Sequence, residues 1–464
     1  MVQRMHRENL KNRRIGIFGM GVTGLSVARF LASSDISFVF VDSRDTPSSL
    51  AEVRLTYPSV ETFLGSFNSA VLSNLDLIVL SPGISPKEPV LQEAQALGIE
   101  IVGDLGLFLA AVEAPVVLIT GSNGKSTVTS LLGDMALQSE LNAGIGGNLG
   151  VPMLDLLDEE RDLYVLELSS FQLEMMTPSQ GAIACLLNVS PDHMDRHKTI
   201  ASYVSAKHKI FSGASVTVTN RQDGLTALTP RHINQRVIKQ ITFGLDEPTE
   251  GHFGLKRING EDYLCCGSES FIKVDDVAIK GRHNMANALA ALALGTALDL
   301  PIVAMLKVLG VYSGLAHRCQ SVATIDNILF IDDSKGTNVG ATVAAIESFG
   351  AENSKNIVLI AGGQGKGQNF SDLTGVANRF VKHSILFGQD AMLIEQSLQP
   401  WTNISHVDSL LAAVDLAKQQ AVAGDIVLFS PACASFDLFT GFEERGRCFQ
   451  LAVLASYSDR RALC

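Results

Sequence analysis

Thr120-Gly121-Ser122-Asn123-Gly124-Lys125-Ser126-Thr127 carries the densest chemistry in the chain. The apolar residues 116–119 lead into it, and Val128-Thr129-Ser130-Leu131-Leu132 lead out. That order reads as a buried strand, a glycine loop and the start of a helix. Loop amides and the positive end of a helix attract phosphate oxygens. Lys125 adds a compact positive charge, and Ser126 or Thr127 can offer a hydroxyl to Mg²⁺. The Gly-x-x-Gly-Lys-Ser spacing is shorter than the common phosphate loop. A turn that binds nothing would have no packing reason to carry Lys-Ser-Thr there.

Other reactive types sit where strands are expected to end. Glu167 closes an apolar strand over 162–170. A buried carboxylate is costly unless paired or metal-bound, and beside a phosphate loop its natural partner is Mg²⁺; the plainer reading is an exposed carboxylate at a strand end. The strand over 183–189 empties into Ser190-Pro191-Asp192-His193-Met194-Asp195-Arg196-His197. Such a cluster can hold a metal, orient a phosphate, or be a solvated loop. Asn148 is the one polar side chain in the glycine-dense turn 144–150, which lets backbone approach a ligand. Lys207 and Lys209, on a helix expected over 202–211, look like ordinary solvated lysines.

Nearer the N-terminus, a strand over 14–18 precedes Gly19-Met20-Gly21-Val22-Thr23-Gly24, and Asp42 lies 18 positions after the last glycine. This is the dinucleotide fingerprint, or glycines needed only for close strand–helix packing. Arg44 could meet a ligand phosphate or stack on a base. Ser81-Pro82-Gly83-Ile84 turns after another buried strand, 76–80.

The elements needed to hold these residues recur. Strands and helices alternate up to a boundary near Gly103-Asp104, restart at the phosphate loop, and restart again after Ser313-Gly314. The expected organisation is three consecutive α/β domains: 1–103, 104–314 and 315–464. The first and last are Rossmann-like, and the middle one is a phosphate-loop ATPase-like unit with a mostly parallel sheet. Within the middle unit, strands at 237–243, 263–266 and 271–274 read as a small antiparallel patch. Gly281-Arg282-His283-Asn284-Met285-Ala286-Asn287 opens a helix with Met285, Leu289 and Leu292 as core stripe; helix capping is the ordinary role for Asn284. In the last unit, strands at 328–331, 356–361 and 425–429 deliver Asp332 to Asn338, Gly362 to Gly367 and Ser430 to Asp437. Ligands gather at the carboxyl ends of strands in open α/β sheets.

Composition bounds the function. With 36 basic and 48 acidic residues the net charge is −12, which disfavours a nucleic-acid surface. The opening residues 1–14 are polar and basic, without a secretory signal, and the apolar stretch 105–120 is broken by Glu113 and Pro115, so no membrane span is expected. Seven cysteines, among them Cys464, without a Cys-x-x-Cys pair fit a reducing cytoplasm rather than a disulfide framework. The residues alone leave ligase, kinase and hydrolase open.

The motifs together resemble the Mur ligase family. Residues 120–127 are similar to its ATP loop. Glu167-Leu168-Ser169-Ser170-Phe171-Gln172, Asp192-His193-Met194-Asp195-Arg196-His197, Gly281-Arg282-His283-Asn284 with Asn287, and His317-Arg318 match further motifs. Ser81-Pro82-Gly83-Ile84, Asp333-Ser334-Lys335-Gly336-Thr337-Asn338 and Ser430-Pro431-Ala432-Cys433-Ala434-Ser435-Phe436-Asp437 resemble the D-glutamate-adding branch. The Asp-Asn-Pro-Arg motif of the diaminopimelate- or lysine-adding branches is absent.

The resemblance implies a cytoplasmic, monomeric enzyme that uses ATP and Mg²⁺ to join D-glutamate to UDP-N-acetylmuramoyl-L-alanine through an acyl phosphate. It assigns Gly121, Ser122, Asn123, Gly124, Lys125, Ser126, Thr127, Asn284, Asn287, Arg318 and Asp333 to ATP. Ser126, Glu167, His193 and a carbamylated Lys207 would hold metal. Lys125, Asn148, His193 and Lys207 would serve catalysis. Val22, Thr23, Asp42, Arg44, Gly83 and Asn148 would hold the UDP-linked substrate, and Lys335, Thr337, Lys366, Ser435 and Phe442 the amino-acid side.

Overall fold

A computed structural model describes residues 10–228, 239–351 and 354–455. The basic segment before Leu10, positions 237–238 of the expected strand, and Cys464 lie outside the described residues.

The first sheet is parallel. Its strands are β1 (Ile15–Phe18), β2 (Phe38–Val41), β3 (Thr62–Phe63), β4 (Leu77–Leu80) and β5 (Glu100–Gly103), in the order β3-β2-β1-β4-β5. β1 and β4 are buried along their whole length, as expected where helices cover both faces. Strand order reverses between β1 and β4, and the loops after them open a crevice there. A Cβ on Gly24 would lie 2.0 Å from the Gly19 carbonyl; only glycine lets helix Val22–Ala32 lie this close to the strand.

The second sheet has nine strands: β6 (Val116–Thr120), β7 (Ala143–Gly147), β8 (Leu163–Glu167), β9 (Ile183–Leu186), β10 (Val216–Asn220), β11 (Lys239–Phe243), β12 (Phe253–Ile258), β13 (Glu261–Cys266) and β14 (Glu269–Lys273). Their order is β14-β13-β12-β11-β10-β9-β6-β8-β7. The antiparallel patch lies at one edge as expected, over β12, β13 and β14, but the first strand assigned to it, β11, is parallel to both neighbours. β10 and β11 extend the parallel sheet, and only the pairings of β13 with β12 and β14 are antiparallel. β11 buries Ile241 and Phe243 while exposing Gln240, so its alternation mimics a one-sided antiparallel strand. Helix Arg282–Ala297 buries Met285, Leu289 and Leu292 as expected, but residues 288–295 are buried on every side.

Two other boundaries move. The strand expected to run to Ser170 stops at Glu167, because Ser169 and Gln172 form a capping box for helix Ser170–Glu174. The helix expected over 202–211 is Ile200–His208 followed by a 3₁₀ turn, Lys209–Phe211.

The third sheet contains β15 (Gln320–Ile325), β16 (Ile328–Asp332), β17 (Ile357–Gly362), β18 (Val381–Phe387), β19 (Asn403–His406) and β20 (Ile426–Phe429), ordered β15-β16-β20-β17-β18-β19. β15 is antiparallel to its neighbour and the other pairs are parallel. β16, β20 and β17 are adjacent, so their C-terminal loops emerge together. The three-part α/β architecture expected from the sequence is what the chain adopts.

The cores differ in how they join. Leu105, Leu107 and Phe108, on helix Asp104–Ala111, belong to one apolar cluster that also holds Ile17, Leu77, Leu118 and Leu166. The first two sheets therefore share a core. Among the described residues, the clusters of the third sheet contain nothing from before Cys319. No described helix is long and apolar enough to cross a membrane.

Candidate active site

The phosphate loop follows β6, and its last glycine turns the chain into helix Lys125–Gln138. Gly124 has φ +81°, and a Cβ there would fall 2.3 Å from Asn287 Oδ1. Asn188 pins the loop from the end of β9. Its Oδ1 accepts from the Asn123 amide at 2.8 Å, and its Nδ2 donates to the Asn123 carbonyl at 3.0 Å. Ser122 Oγ donates to the Ser190 carbonyl at 2.9 Å and meets Tyr203 Oη at 3.2 Å. Lys125 Nζ lies inside the loop, donating to the carbonyls of Gly121 at 2.9 Å and Ser122 at 2.8 Å.

Glu167 faces this loop from β8 and is 2 % exposed, which excludes the solvated strand-end reading. Asn148 Nδ2 donates to its Oε1 at 2.6 Å, and Ser126 Oγ donates to its Oε2. Burial pushes its pKa up, but Lys125, Ser126, Asn148 and Arg318 together outweigh burial and hold it below the ordinary glutamate range. Glu167 is thus a charged oxygen donor at neutral pH.

His193 has a left-handed backbone, φ 55°, a strained state for a non-glycine residue that recurs at functional sites. Its ring lies 4.9 Å from Phe171. Burial lowers its pKa, opposed by Asp192, favouring the neutral imidazole that binds metals. Lys207 overturns the solvated-lysine reading: it is 1 % exposed. Its Nζ donates to the Gly121 carbonyl at 2.7 Å and lies 4.7 Å from the centre of the Tyr203 ring. Burial, reinforced by Lys125, drives its pKa far below the ordinary lysine value. Lys209 instead lies outside the site, donating to the Glu174 carbonyl at 2.6 Å.

Three clefts run into one another. The first lies at the β1/β4 crevice and gathers Val22, Thr23, Asp42, Arg44, Gly83 and Asn148. Arg44 grips Asp42 bidentately at 2.8 and 2.7 Å. Burial pushes the Asp42 carboxyl up, but Arg44 and the Met20 amide bring it down to about 2. The central cleft gathers residues 122–126, Asn148, Glu167, His193, Lys207, Arg318, Lys335, Thr337, Lys366, Ser435 and Phe442. The third gathers Asn123, Gly124, Thr127, Asn284, Asn287, Arg318, Asp333 and Lys335. Asn148, Ser169 and Phe171 line both the first and the central clefts. Asn123, Gly124, Arg318 and Lys335 line both the central and the third. Gly121 lines none of them; its carbonyl serves Lys125 and Lys207 instead.

The third sheet supplies cations. Lys335 Nζ sits 3.9 Å from the centre of the Phe442 ring, and Lys366 Nζ 5.7 Å from that of Phe436. Burial brings Lys335 down to about 8. Asp333 is pushed up to about 7 by burial, although Ser430 Oγ donates to it at 2.6 Å. Asn284 does not cap its helix; Gly281 holds that position, and Asn284 Nδ2 donates to the Lys280 carbonyl at 2.9 Å.

Sequence reasoning missed three supports. Asn188 and Tyr203 brace the phosphate loop, and a polar residue right after a buried strand was the available signal for Asn188. Arg445 is fully buried, and its Nη2 donates to the carbonyls of Ser334 at 2.8 Å and Cys433 at 3.0 Å. It thereby ties together the loops after β16 and β20. Nothing in its local sequence marks it.

A phosphate loop facing a charged carboxylate, with cation-bearing loops from a third α/β unit across the cleft, describes an enzyme that activates one substrate with a nucleotide and joins it to another. The chain belongs to the Mur ligase family. Residues 13–103 match the Mur ligase MurD-like N-terminal domain, 119–295 the Mur ligase middle domain, and 317–433 the Mur ligase glutamate ligase domain. It is 46% identical to the UDP-N-acetylmuramoylalanine–D-glutamate ligase of Pseudomonas aeruginosa, over 94% of this chain and 97% of that protein. The enzyme of the same name from Legionella pneumophila (strain Paris) is 44% identical, over 94% and 98%. Among solved structures, MurF from Acinetobacter baumannii superposes with TM-score 0.58 at 16% identity, covering 90% of each chain. MurC from Thermotoga maritima gives 0.56 at 19%, covering 94% and 98%. At such identities these two speak for the fold alone.

Proposed function

We propose that this chain joins D-glutamate to UDP-N-acetylmuramoyl-L-alanine at the expense of ATP, a step of peptidoglycan precursor synthesis. The observation that carries the reading is that the central cleft, lined by Glu167 and the phosphate loop, shares residues with both of the other clefts. A substrate tail, a triphosphate and an amine can reach one point from three directions, which suits a condensation. The substrate names come from the relatives.

In this reading residues 1–103 bind the UDP-linked substrate, 104–314 bind ATP, and 315–464 bind the amino acid. Val22, Thr23, Asp42, Arg44 and Gly83 hold the UDP portion. The alanyl carboxylate passes Asn148 and attacks the γ-phosphorus; a carboxylate O–P bond forms and the bond to ADP breaks. The neutral amine of D-glutamate then attacks the acyl carbon, a C–N bond forms, the nitrogen gives up one proton, and inorganic phosphate leaves with the C–O electrons. Lys125 and Arg318 balance charge on the phosphoryl group. Asn284, Asn287 and Asp333 border the nucleoside. Lys335, Thr337, Lys366, Ser435 and Phe442 bind D-glutamate, whose two carboxylates suit paired ammonium groups.

The site also fits Mg²⁺: Glu167 is ionised, buried and backed by a hydroxyl and an amide, the hard oxygen donors this cation takes. Ser126 and Glu167 would hold one ion, and His193 and Lys207 a second. Lys207 fits carbamylation, because burial favours its neutral, nucleophilic amine. Bound Mg²⁺ would neutralise the crowded phosphate oxygens. The enzyme acts as a monomer in the cytoplasm.

The test is phosphate release from ATP. Release is expected only with UDP-N-acetylmuramoyl-L-alanine and D-glutamate both present. Equal release with lysine or diaminopimelate in place of D-glutamate, or none with any amino acid, overturns the reading.

A further inference from the structure

Lys366 stands at the tip of a turn that strains its own backbone. Lys366 has φ 53° and Gly367 φ 73°, the two positive angles that a mirror-image type I′ turn requires. Glycine adopts such angles freely, and lysine does not. The Gln368 amide closes the turn on the Gly365 carbonyl at 3.0 Å. A residue held this way persists where its surroundings over-determine it. Gly365 is fixed at both ends. Its amide donates to Asp390 Oδ2 at 2.6 Å, and its carbonyl accepts from Gln368 twice, from the backbone and from the side chain.

The Gln368 side chain reaches further. Its Nε2 donates to the carbonyls of Gly365 at 3.0 Å and Ala432 at 3.4 Å, and its Oε1 accepts from the Val339 amide at 3.0 Å. Val339 begins helix Val339–Phe349, right after Thr337-Asn338, and an amide in that position has no partner within its own helix. One side-chain amide therefore joins the loops that follow β16, β17 and β20. Those loops carry Thr337, Lys366 and Ser435, which all line the central cleft, whereas Gln368 lines none of the three clefts. Arg445 ties only two of these loops, at Ser334 and Cys433.

Strand pairing fixes where the strands end, but not how far apart the loop tips stand. D-glutamate presents two carboxylates and an amine at set separations, so a cradle for it needs set separations too. We propose that Gln368 is a positioning residue for the amino-acid substrate: its side-chain amide fixes the spacing of Lys366, Thr337 and Ser435 across the central cleft. The inference rests on the function proposed above. Gln368 acts through these three residues and touches no reacting atom.

The experiment compares wild type with two variants of the full chain. Gln368→Met keeps the length of the side chain and loses all three bonds. Val339→Pro removes the N–H from the other side of one of them. Proline suits the first helical position, and Asn338 is already extended, with φ −138° and ψ 161°, as a residue before proline should be. KM for all three substrates is measured on each variant and on the double variant. Gln368→Met is expected to raise KM for D-glutamate about tenfold or more, with kcat within about threefold, the signature of lost binding. KM for ATP and for UDP-N-acetylmuramoyl-L-alanine should stay within about twofold. Val339→Pro should raise KM for D-glutamate about threefold or more, the scale of one neutral hydrogen bond. The double variant should match Gln368→Met within about twofold, because both changes cut the same link. An unchanged KM for D-glutamate in Gln368→Met, or an equal rise for all three substrates, makes Gln368 a structural tie and overturns the proposal. So do effects that multiply in the double variant. Should Gln368→Met not fold, Gln368→Glu carries the test. Its carboxylate still accepts from Val339 but has no proton for the Gly365 and Ala432 carbonyls, so the same selective rise is expected and its absence overturns the proposal. Failure of the proposed function looks different, because wild type itself would then not turn over D-glutamate.

Discussion

Arg318 Nη2 donates to Ser126 Oγ at 2.6 Å, from the start of the third sheet unit to the first hydroxyl of the phosphate-loop helix. Ser126 in turn donates to Glu167. One guanidinium, one hydroxyl and one carboxylate thus form a chain across two separately built units. Asn338 Nδ2 adds a second crossing, to Asp192 at 3.1 Å. The third unit is held over the site by polar contacts that a bound triphosphate would rearrange.

Arg318→Lys should lower turnover by about 10²-fold or more, the scale of losing one preorganised donor at a charge-developing centre. Lysine keeps the charge but not the planar fork. Initial rates against ATP concentration check this, and a rate within about twofold of wild type removes Arg318 from phosphate handling.

Glu167→Gln keeps the shape and discards the charge. Burial opposes ionisation of Glu167, but its four neighbours win, so its charge persists well below neutral pH. Turnover should fall by about 10³-fold or more, and the Mg²⁺ concentration needed for half-maximal rate should rise. Rate against Mg²⁺ tests it; unchanged Mg²⁺ dependence counts against a role as ligand.

Lys207→Met should raise stability while abolishing turnover. The folded pKa of Lys207 lies far below the ordinary value because of burial. Between the lowered folded value and the unfolded value near 10.4, the unfolded chain binds one proton more. Stability is therefore penalised at neutral pH and recovers as pH rises toward the unfolded value. Methionine removes that penalty. Tm against pH in CO₂-free buffer is the measurement: the Tm difference between variant and wild type should shrink as pH rises. A lower Tm for the variant at neutral pH would refute this account.

Gly124→Ala would force a left-handed residue and push a Cβ within 2.3 Å of Asn287 Oδ1. The strain alone is about 1–2 kcal/mol, and the displaced Asn287 lines the third cleft. ATP affinity by calorimetry should weaken about tenfold or more; wild-type affinity would show that the loop shape is not what binds.

The sequence made the strand-end chemistry legible because apolar runs stop abruptly at polar residues. Glu167 and the phosphate loop are visible that way, and so is the three-unit architecture. Lys207 is not, because its burial comes from Tyr203 and from a loop carbonyl 86 positions earlier, contacts with no local signature. Arg445 sits among Glu443, Glu444 and Arg447 on helix Phe442–Leu454 and reads as a solvated helix face, until two distant loops close around it. β11 misled for the opposite reason: its local pattern is clear, but partner direction is a property of the whole sheet. The polar Ser169–Gln172 box did carry a helix start, overshadowed by the apolar run before it.

The first and third clefts share no lining residue among the described residues, and each shares residues with the central one. In the proposed reaction, spent nucleotide and lengthened product would depart by opposite doors, neither backing out past the other. The two doors are not alike. The first is framed by sheets fused through a common core. The other is roofed by the unit attached through polar bonds, so the swing of that roof would govern when ADP escapes and when the next turnover can begin.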